Sequence, residues 1–103
     1  MDIVKSIEEY DAILLNNKGV FVDFYADWCG PCKMIAPLVE ELAEEHPTVK
    51  FIKVNVDDTP DIASRYGITS IPTIIVFKGG KPASQTTGFQ PIESLEMLVR
   101  AAE

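Results

Sequence analysis

Two cysteines, Cys29 and Cys32, are the residues of this sequence whose type and spacing most directly suggest chemistry. They are the only cysteines among its 103 residues, and Gly30 and Pro31 separate them. A Cys-X-X-Cys pair can form and break a disulfide during catalysis, supply half of the ligands of a metal site, or simply crosslink the chain. These roles make different demands on the rest of the sequence.

A crosslink that only stabilises the fold explains the pair poorly. The bridge would enclose two intervening residues, and in the chain-entropy model the stabilisation by a disulfide grows with loop length. The chain is 47% hydrophobic, and a domain of about 100 residues removes roughly two thirds of its unfolded surface from water without such staples. An inert structural pair is therefore a minor alternative.

A metal site within one chain is also poorly supported. Structural zinc sites need four ligands, whereas the sequence offers two cysteines and a single histidine, His46, at the far end of a predicted helix. A metal or iron–sulfur cluster bridging two chains is the form of this alternative that stays open. We expect His46 instead to be a solvent-exposed residue favoured by the helix dipole.

The predicted elements around the cysteines favour reversible dithiol chemistry. Residues 20–25 form a nearly continuous apolar run, typical of an interior strand, and apolar residues at helical spacing predict a helix over residues 30–45. Cys29 then lies at a helix start, where free backbone amides stabilise a thiolate, which is the nucleophile in disulfide exchange. A partly exposed Cys29 would attack a disulfide, and Cys32, one turn later, could resolve the product.

Helix and strand patterns also alternate along the rest of the chain. Ser6, Thr59 and Pro91 are predicted to begin helices, with the Thr59 hydroxyl as a cap. Further strands are predicted at residues 3–4, 49–56, 73–77 and 83–87. Strands joined through helices should pair in parallel, whereas a Gly-Gly turn predicts a final antiparallel hairpin. We expect an α/β fold, a mixed sheet with helices on both faces, in one domain over residues 1–103.

Charge and hydropathy exclude several classes of partner. Sixteen acidic and nine basic residues give a formal net charge of -7. Nucleic acids and anionic membranes bind clustered Lys and Arg, so neither is an expected partner. The sequence shows no apolar run of membrane-spanning length and no signal-peptide pattern at its start. We therefore expect a cytoplasmic protein, in a compartment where thiols are kept reduced.

Two charged residues interrupt apolar strands. Asp23 lies within residues 20–25, so its carboxylate would be buried and its pKa raised. Such a group beneath the dithiol could accept the proton of Cys32, although a strand-end acid that reaches solvent is the alternative. Lys53 similarly interrupts the strand at 49–56. Its ammonium could lie near Asp23, or it could be an ordinary exposed lysine.

The segment DFYADWCGPCK, residues 23–33, resembles the active-site segment of the thioredoxin family. The resemblance continues in family order through Pro37, the FIKVNVDD strand, the YGITSIPTIIVFKGG segment at 66–80, and Gly88. It implies the thioredoxin fold, a central mixed β-sheet flanked by about four helices. It also implies a protein-disulfide reductant that a thioredoxin reductase re-reduces, in which Lys53 modulates the Asp23 carboxylate.

The resemblance extends to the surface around the cysteines. It implies that the Ile71-Pro72 peptide is cis and lies against them, and Gly88, without a side chain, would permit close approach of a partner backbone. A shallow apolar rim around Cys29 would suit flexible protein segments better than a small metabolite. Its expected members are Trp28, Gly30, Pro31, Ile71, Pro72 and Phe89. Two departures, Tyr25 where many thioredoxins have tryptophan and Phe89 where a smaller residue is common, could alter partner choice or potential.

The spacer between the cysteines favours a reductant. Gly30 and Pro31 add no charge, whereas a histidine there, as in oxidising relatives of this fold, would favour the reduced form. A disulfide oxidase or isomerase, and a binding module without redox turnover, are the alternatives. No Gly-X-Gly-X-X-Gly fingerprint appears, so any flavin or nicotinamide belongs to the reductase, and the only expected redox group is the disulfide. We expect a monomer whose partners are that reductase and disulfide-containing proteins.

Overall fold

The computed structural model describes all 103 residues as five strands and four helices. Every element predicted from the sequence is present, with ends that differ by a few residues. In chain order the elements are β1 (Asp2–Ile3), α1 (Ile7–Asn16), β2 (Gly19–Tyr25), α2 (Gly30–Glu45), β3 (Lys50–Asn55), α3 (Pro60–Arg65), β4 (Thr73–Lys78), β5 (Lys81–Thr87) and α4 (Ile92–Ala102).

The strands form one mixed sheet in the order β1-β3-β2-β4-β5. Strands β1, β3 and β2 are parallel, whereas β4 runs antiparallel to β2, and β5 antiparallel to β4. The α/β class and the antiparallel hairpin are confirmed. The prediction that strands joined through helices pair in parallel is wrong for β4.

The length of α3 explains this reversal. A helix of six residues spans roughly 9 Å, while a strand of six residues spans roughly 20 Å. The helix alone does not carry the chain back to the start of β3, and β4 begins at the end of the sheet where β3 finishes, with Thr73 opposite Phe24. The sixteen residues of α2, by contrast, span roughly 24 Å and bring β3 into parallel register with β2.

Helices cover both faces of the sheet. On the face covered by α1 and α3, here the α1/α3 face, eleven buried residues form one apolar cluster that includes Val22 and Phe24 of β2. On the α2/α4 face, another eleven form a second cluster that includes Phe21. Because side chains alternate along a strand, Asp23 points to the same face as Phe21. No helix is both long and apolar enough to cross a membrane.

Two local predictions about polar side chains are wrong. The Thr59 hydroxyl does not cap α3; it donates to the carbonyl of Asn55 at 2.9 Å, within the turn that follows β3. The His46 side chain is only 12% exposed. Its Nδ1 lies 2.8 Å from a carboxylate oxygen of Glu103, and its Nε2 lies 3.7 Å from one of Glu96, because the end of α4 packs beside the end of α2.

Candidate active site

The cysteines lie where the central strand gives way to the longest helix. Cys29 is the N-cap of α2, and its sulfur is bonded to that of Cys32, with 5.2 Å between the two Cα atoms. Pro31 occupies the first turn of α2, where no amide hydrogen is needed and its fixed φ suits a helix. The backbone thus holds the two sulfurs within bonding reach of each other.

The helix start provides a hydrogen bond to the first sulfur. The backbone N–H of Cys32 donates to Sγ of Cys29 at 3.2 Å. In the reduced protein the same amide and the positive end of the helix dipole would stabilise a Cys29 thiolate. Cys29 is less exposed than expected, at 4% in this oxidised form, because it is buried in a small cluster with Ala26 and Cys32.

Asp23 is buried on the α2/α4 face with an unsatisfied oxygen. The residue is 1% exposed, and its Oδ1 has no hydrogen-bond partner within the protein. Burial raises the pKa of the carboxyl from its ordinary 3.8 to about 6, against a smaller opposing effect of the positive charge on Lys53. The predicted burial and raised pKa are confirmed, and the alternative of a solvent-exposed acid is excluded.

Lys53 lies near Asp23, as expected, but makes no direct ion pair with it. It is the register partner of Asp23 on the adjacent strand, and it is half-buried rather than fully exposed. However, none of the ion pairs in the molecule joins its ammonium to Asp23 within 4.0 Å. The ammonium lies instead over the ring of Tyr25, with Nζ 4.2 Å from the ring centroid.

A small cavity opens beside the second cysteine. Its volume is about 130 Å³, and Tyr25, Asp27, Cys32 and Lys53 contribute to its walls. It has room for a few water molecules but is smaller than the roughly 300 to 1,000 Å³ of typical small-molecule sites. A larger depression of about 560 Å³, between the end of α1 and the β4–β5 turn, contains no cysteine. The shape of the site therefore favours a macromolecular substrate.

A cis peptide bond lies on the other side of the disulfide. The bond joins Ile71 and Pro72, as the family resemblance implied. The carbonyl oxygen of Ile71 is 3.8 Å from Sγ of Cys29, and the carbonyl of buried Pro72 accepts the N–H of Gly88 at 2.8 Å. Gly88 has a φ of 85°, which favours glycine. These contacts tie the segment before β4 to the end of β5, beside the disulfide.

Large apolar side chains are exposed among the predicted rim residues. Trp28 is 71% exposed and Phe89 is 44% exposed, and Gly30 and Pro31 also lie at the surface. Ile71 is half-buried, whereas Pro72 is buried and presents little surface of its own. Most of the predicted set is therefore accessible to another molecule.

Sequence reasoning missed two contacts in the site. The indole N–H of Trp28 donates to a carboxylate oxygen of Asp57 at 2.9 Å, and the ring of Tyr25 holds Lys53. The first contact had a usable signal, because Trp28 follows β2 and Asp57 follows β3, and the ends of adjacent parallel strands meet at one edge of the sheet. The second depends on the direction of a flexible lysine, for which the sequence has no local signal.

The arrangement is suited to two-electron exchange between sulfur atoms. A disulfide that can open at a helix start supplies a nucleophilic thiolate and a resolving thiol. The buried carboxyl provides a base whose pKa lies nearer to neutrality than usual. No group of three or more His, Cys, Asp or Glu side chains is arranged to hold a metal ion.

Comparisons with known proteins agree with this geometry. The family model described as Thioredoxin matches residues 2–101. A thioredoxin of Alicyclobacillus acidocaldarius is 51% identical over 88 residues, covering 84% of each chain. A thioredoxin of Mycoplasmoides gallisepticum is 48% identical over 92 residues, covering 89% of this chain and 92% of the relative.

Solved structures give the same result for the fold. A Plasmodium falciparum thioredoxin superimposes with a TM-score of 0.92 at 40% identity, covering 97% of both chains. The oxidised form of mitochondrial thioredoxin 3 from Saccharomyces cerevisiae gives a TM-score of 0.91 at 33% identity, covering 97% of this chain and 93% of that one. The fold, the Cys-Gly-Pro-Cys disulfide at a helix start and these relatives together place the chain in the thioredoxin family.

Proposed function

We propose that this thioredoxin-family protein reduces disulfides in other proteins, with Cys29 attacking and Cys32 resolving. The observation that carries the proposal is the Cys29–Cys32 disulfide at the start of α2, with a backbone amide directed at the Cys29 sulfur. The Cys29 thiolate breaks the target disulfide, forms a mixed disulfide and releases one target thiolate. Cys32 then attacks the Cys29 sulfur, which restores the internal disulfide and releases the second target thiolate. The target gains two electrons and the protein loses two.

Asp23 accepts the proton of Cys32 in the second step. Its burial and its pKa of about 6 make it a stronger base than an ordinary carboxylate, yet it is still mostly ionised at neutral pH. Lys53 modulates this base through its positive charge, which lowers the pKa of Asp23. Cys32 and Lys53 line the same small cavity, so the positive charge lies beside the resolving cysteine.

The target binds as a flexible segment across the apolar rim. Trp28 and Phe89 offer exposed apolar surface, and the Ile71 carbonyl lies close to the Cys29 sulfur. At Gly88 no atom lies within 4 Å of the point that a Cβ atom would occupy, so the open backbone leaves room for a partner chain. The hydrogen bond to Asp57 orients the Trp28 side chain, so its indole ring presents a defined aromatic surface to the target.

The oxidised protein is re-reduced by a thioredoxin reductase. The family requires no cofactor beyond its own disulfide, and the electrons for the next cycle must come from a second protein. We place the chain, as a monomer and as one domain over residues 1–103, in the cytoplasm, where such a reductant meets a supply of electrons. One chain already holds both cysteines, Asp23 and Lys53.

Trapping of mixed disulfides tests this assignment. Cys32→Ser should leave targets covalently attached to Cys29, and mass spectrometry should locate each bond at that residue. Cys29→Ser is the matched control and should trap no target by that route. The proposal is wrong if the adducts form at Cys32 in the control variant, or if neither variant forms adducts with proteins that the native chain reduces.

Two further measurements separate the alternative functions. Equilibration with glutathione measures the reduction potential, and a potential well above that of the glutathione pool would favour an oxidase or isomerase. Replacement of both cysteines by serine tests the binding module. If the double variant keeps full function in cells, redox turnover is not the function of this chain.

A further inference from the structure

The contact between Lys53 and Tyr25 lies on the wall of the cavity beside Cys32. The lysine Nζ is 4.2 Å from the ring centroid, a distance at which an ammonium is attracted to the face of an aromatic ring. Both side chains contribute to the wall of the same cavity as Cys32. The contact therefore belongs to the site, although it involves neither sulfur directly.

The register of the sheet places three of these groups on one face. Tyr25 follows Asp23 by two residues on β2, so both side chains point toward the α2/α4 face. Lys53 lies opposite Asp23 on β3, on that same face. From this position the flexible lysine side chain can reach two partners, the carboxylate of Asp23 and the ring of Tyr25.

The structure shows which partner Lys53 takes. Its ammonium lies over the Tyr25 ring, it makes no ion pair with Asp23, and Oδ1 of Asp23 has no hydrogen-bond partner. An ammonium in direct contact with the carboxylate would satisfy that oxygen and strongly stabilise its charged form. The ring thus holds the positive charge at a distance from which it influences the carboxyl without pairing with it.

We infer that Tyr25 is a positioning residue, whose aromatic face retains the Lys53 ammonium at the cavity wall and out of ion-pair contact with the Asp23 carboxylate. The inference rests on the proposed role of Asp23 as proton acceptor. A directly paired carboxylate would be a weaker base, since proton uptake would break a charge-assisted hydrogen bond. By holding the ammonium away, Tyr25 keeps the Asp23 carboxylate more basic than a directly paired one.

Other charged and titratable groups near Asp23 do not replace this interaction. On β3 the facing charge is Lys53, whereas Cys32 and Lys33 of α2 and Asp27 after β2 line the adjacent cavity. The β4 partner of Asp23 is apolar Ile74. Burial has the largest effect on the pKa of this carboxyl, and Lys53 is the one charge that shifts it in the opposite direction.

Titration of the Asp23 carboxyl by carbon-detected NMR tests the inference in the intact oxidised protein. Tyr25→Leu removes the aromatic face and frees the ammonium to approach the carboxylate. We expect the Asp23 midpoint to fall by about one pH unit or more, in line with a newly formed close pair. Tyr25→Phe is the matched control, since it keeps the aromatic face and should leave the midpoint near that of the native protein.

A second variant background distinguishes two causes of a lower Asp23 midpoint, movement of the Lys53 ammonium and entry of water. In Lys53→Met, Tyr25→Leu should no longer lower the midpoint, because no ammonium is available to move. An equal fall in both backgrounds would mean that the ring acts by excluding water, and it would overturn the inference. An unchanged midpoint in Tyr25→Leu alone, or a fall in Tyr25→Phe as large as in Tyr25→Leu, would overturn it as well.

The test does not depend on disulfide reduction. If Asp23→Asn reduced disulfides as fast as the native protein, the proton-acceptor role would fail, while the titration would still report where Tyr25 holds Lys53. If Asp23→Asn were slow and Tyr25→Leu left the midpoint unchanged, the mechanism would stand and the positioning role of Tyr25 would fail. Thermal unfolding of each variant confirms that the compared proteins are folded.

Discussion

The α1/α3 face and the α2/α4 face of the sheet each bury eleven residues in one apolar cluster. They differ in the hydrogen bonding of a buried polar side chain. On the α1/α3 face the buried Tyr10 hydroxyl donates to the hydroxyl of Tyr66 at 2.9 Å. On the α2/α4 face one oxygen of the buried Asp23 carboxyl has no hydrogen-bond partner within the protein. Unsatisfied buried groups are rare because each one destabilises the fold.

The two faces of the sheet are packed alike, but the candidate catalytic groups lie on only one of them. The apolar clusters on both faces stabilise the sheet in the same way, through burial of side chains from strands and helices. The unpaired carboxyl lies only on the face that α2 covers, two residues before β2 ends and the chain turns toward the cysteines. Burial of the Asp23 carboxyl thus costs stability on the α2/α4 face, and in the proposed mechanism this carboxylate is the base.

The largest expected effect tests whether the two faces contribute equally to packing. Leu42 on the α2/α4 face and Ile62 on the α1/α3 face are both fully buried. We expect Leu42→Ala and Ile62→Ala each to lower the free energy of unfolding by about 2 to 5 kcal/mol, since each leaves a cavity. Urea unfolding measures both values. A loss below about 1 kcal/mol at one site only would show that the faces differ in packing as well.

The second substitution should raise the free energy of unfolding instead of lowering it. At neutral pH we expect Asp23→Asn to raise the free energy of unfolding by about 3 kcal/mol, since the carboxyl must ionise in the core with a pKa of about 6 instead of 3.8. In the native protein this stability is present below pH 3.8 and is lost as the pH rises through about 6. The variant keeps it, because asparagine resembles the protonated carboxyl.

Unfolding measured at several pH values checks this sign. The difference between Asp23→Asn and the native protein should grow between about pH 4 and pH 6 and then level off. A constant difference across that range would mean that the ionisation of Asp23 does not account for it. A less stable variant at neutral pH would contradict the comparison between the faces.

The smallest effect concerns the paired hydroxyls of the other face. Tyr10→Phe removes the donor of the bond to Tyr66 and should lower the free energy of unfolding by about 1 kcal/mol. Burial raises the pKa of Tyr10, with a further rise from its bond to Tyr66, so it stays protonated and the loss should not vary between about pH 5 and pH 8. Stabilisation by this change would mean that the hydroxyl pair is not a favourable contact.

The sequence predicted those features that depend on short stretches of chain. The apolar run of β2 predicted a central strand, and Asp23 inside that run predicted a buried carboxyl with a raised pKa. Cys29 and Cys32 could be placed at a helix start because the periodicity of α2 begins between them. Each of these inferences needs only the local pattern and the rule that a central strand is covered on both faces.

The features that sequence reasoning missed depend on how distant segments pack. The direction of β4 depends on the length of α3 compared with the strands, and the coverage of His46 depends on where α4 ends. Lys53 could be placed opposite Asp23 in principle, but its ammonium can reach either the carboxylate or the Tyr25 ring. When a flexible side chain has two partners nearby, the tertiary geometry determines which one it contacts. The hydrophobic periodicity of the sequence carries no information about that contact.

The resolving step links the unpaired carboxyl to the cysteines, so its rate decides whether Asp23 is the proton acceptor. A mixed disulfide between Cys29 and a target protein can be mixed rapidly with buffers from about pH 5 to pH 8 while release of the target thiol is followed. For the native protein we predict a rate that falls as the pH drops through about 6, where Asp23 takes up a proton. Asp23→Asn should resolve roughly 100-fold more slowly at neutral pH and lose this inflection. Equal rates with the same inflection in both proteins would show that another group accepts the proton of Cys32.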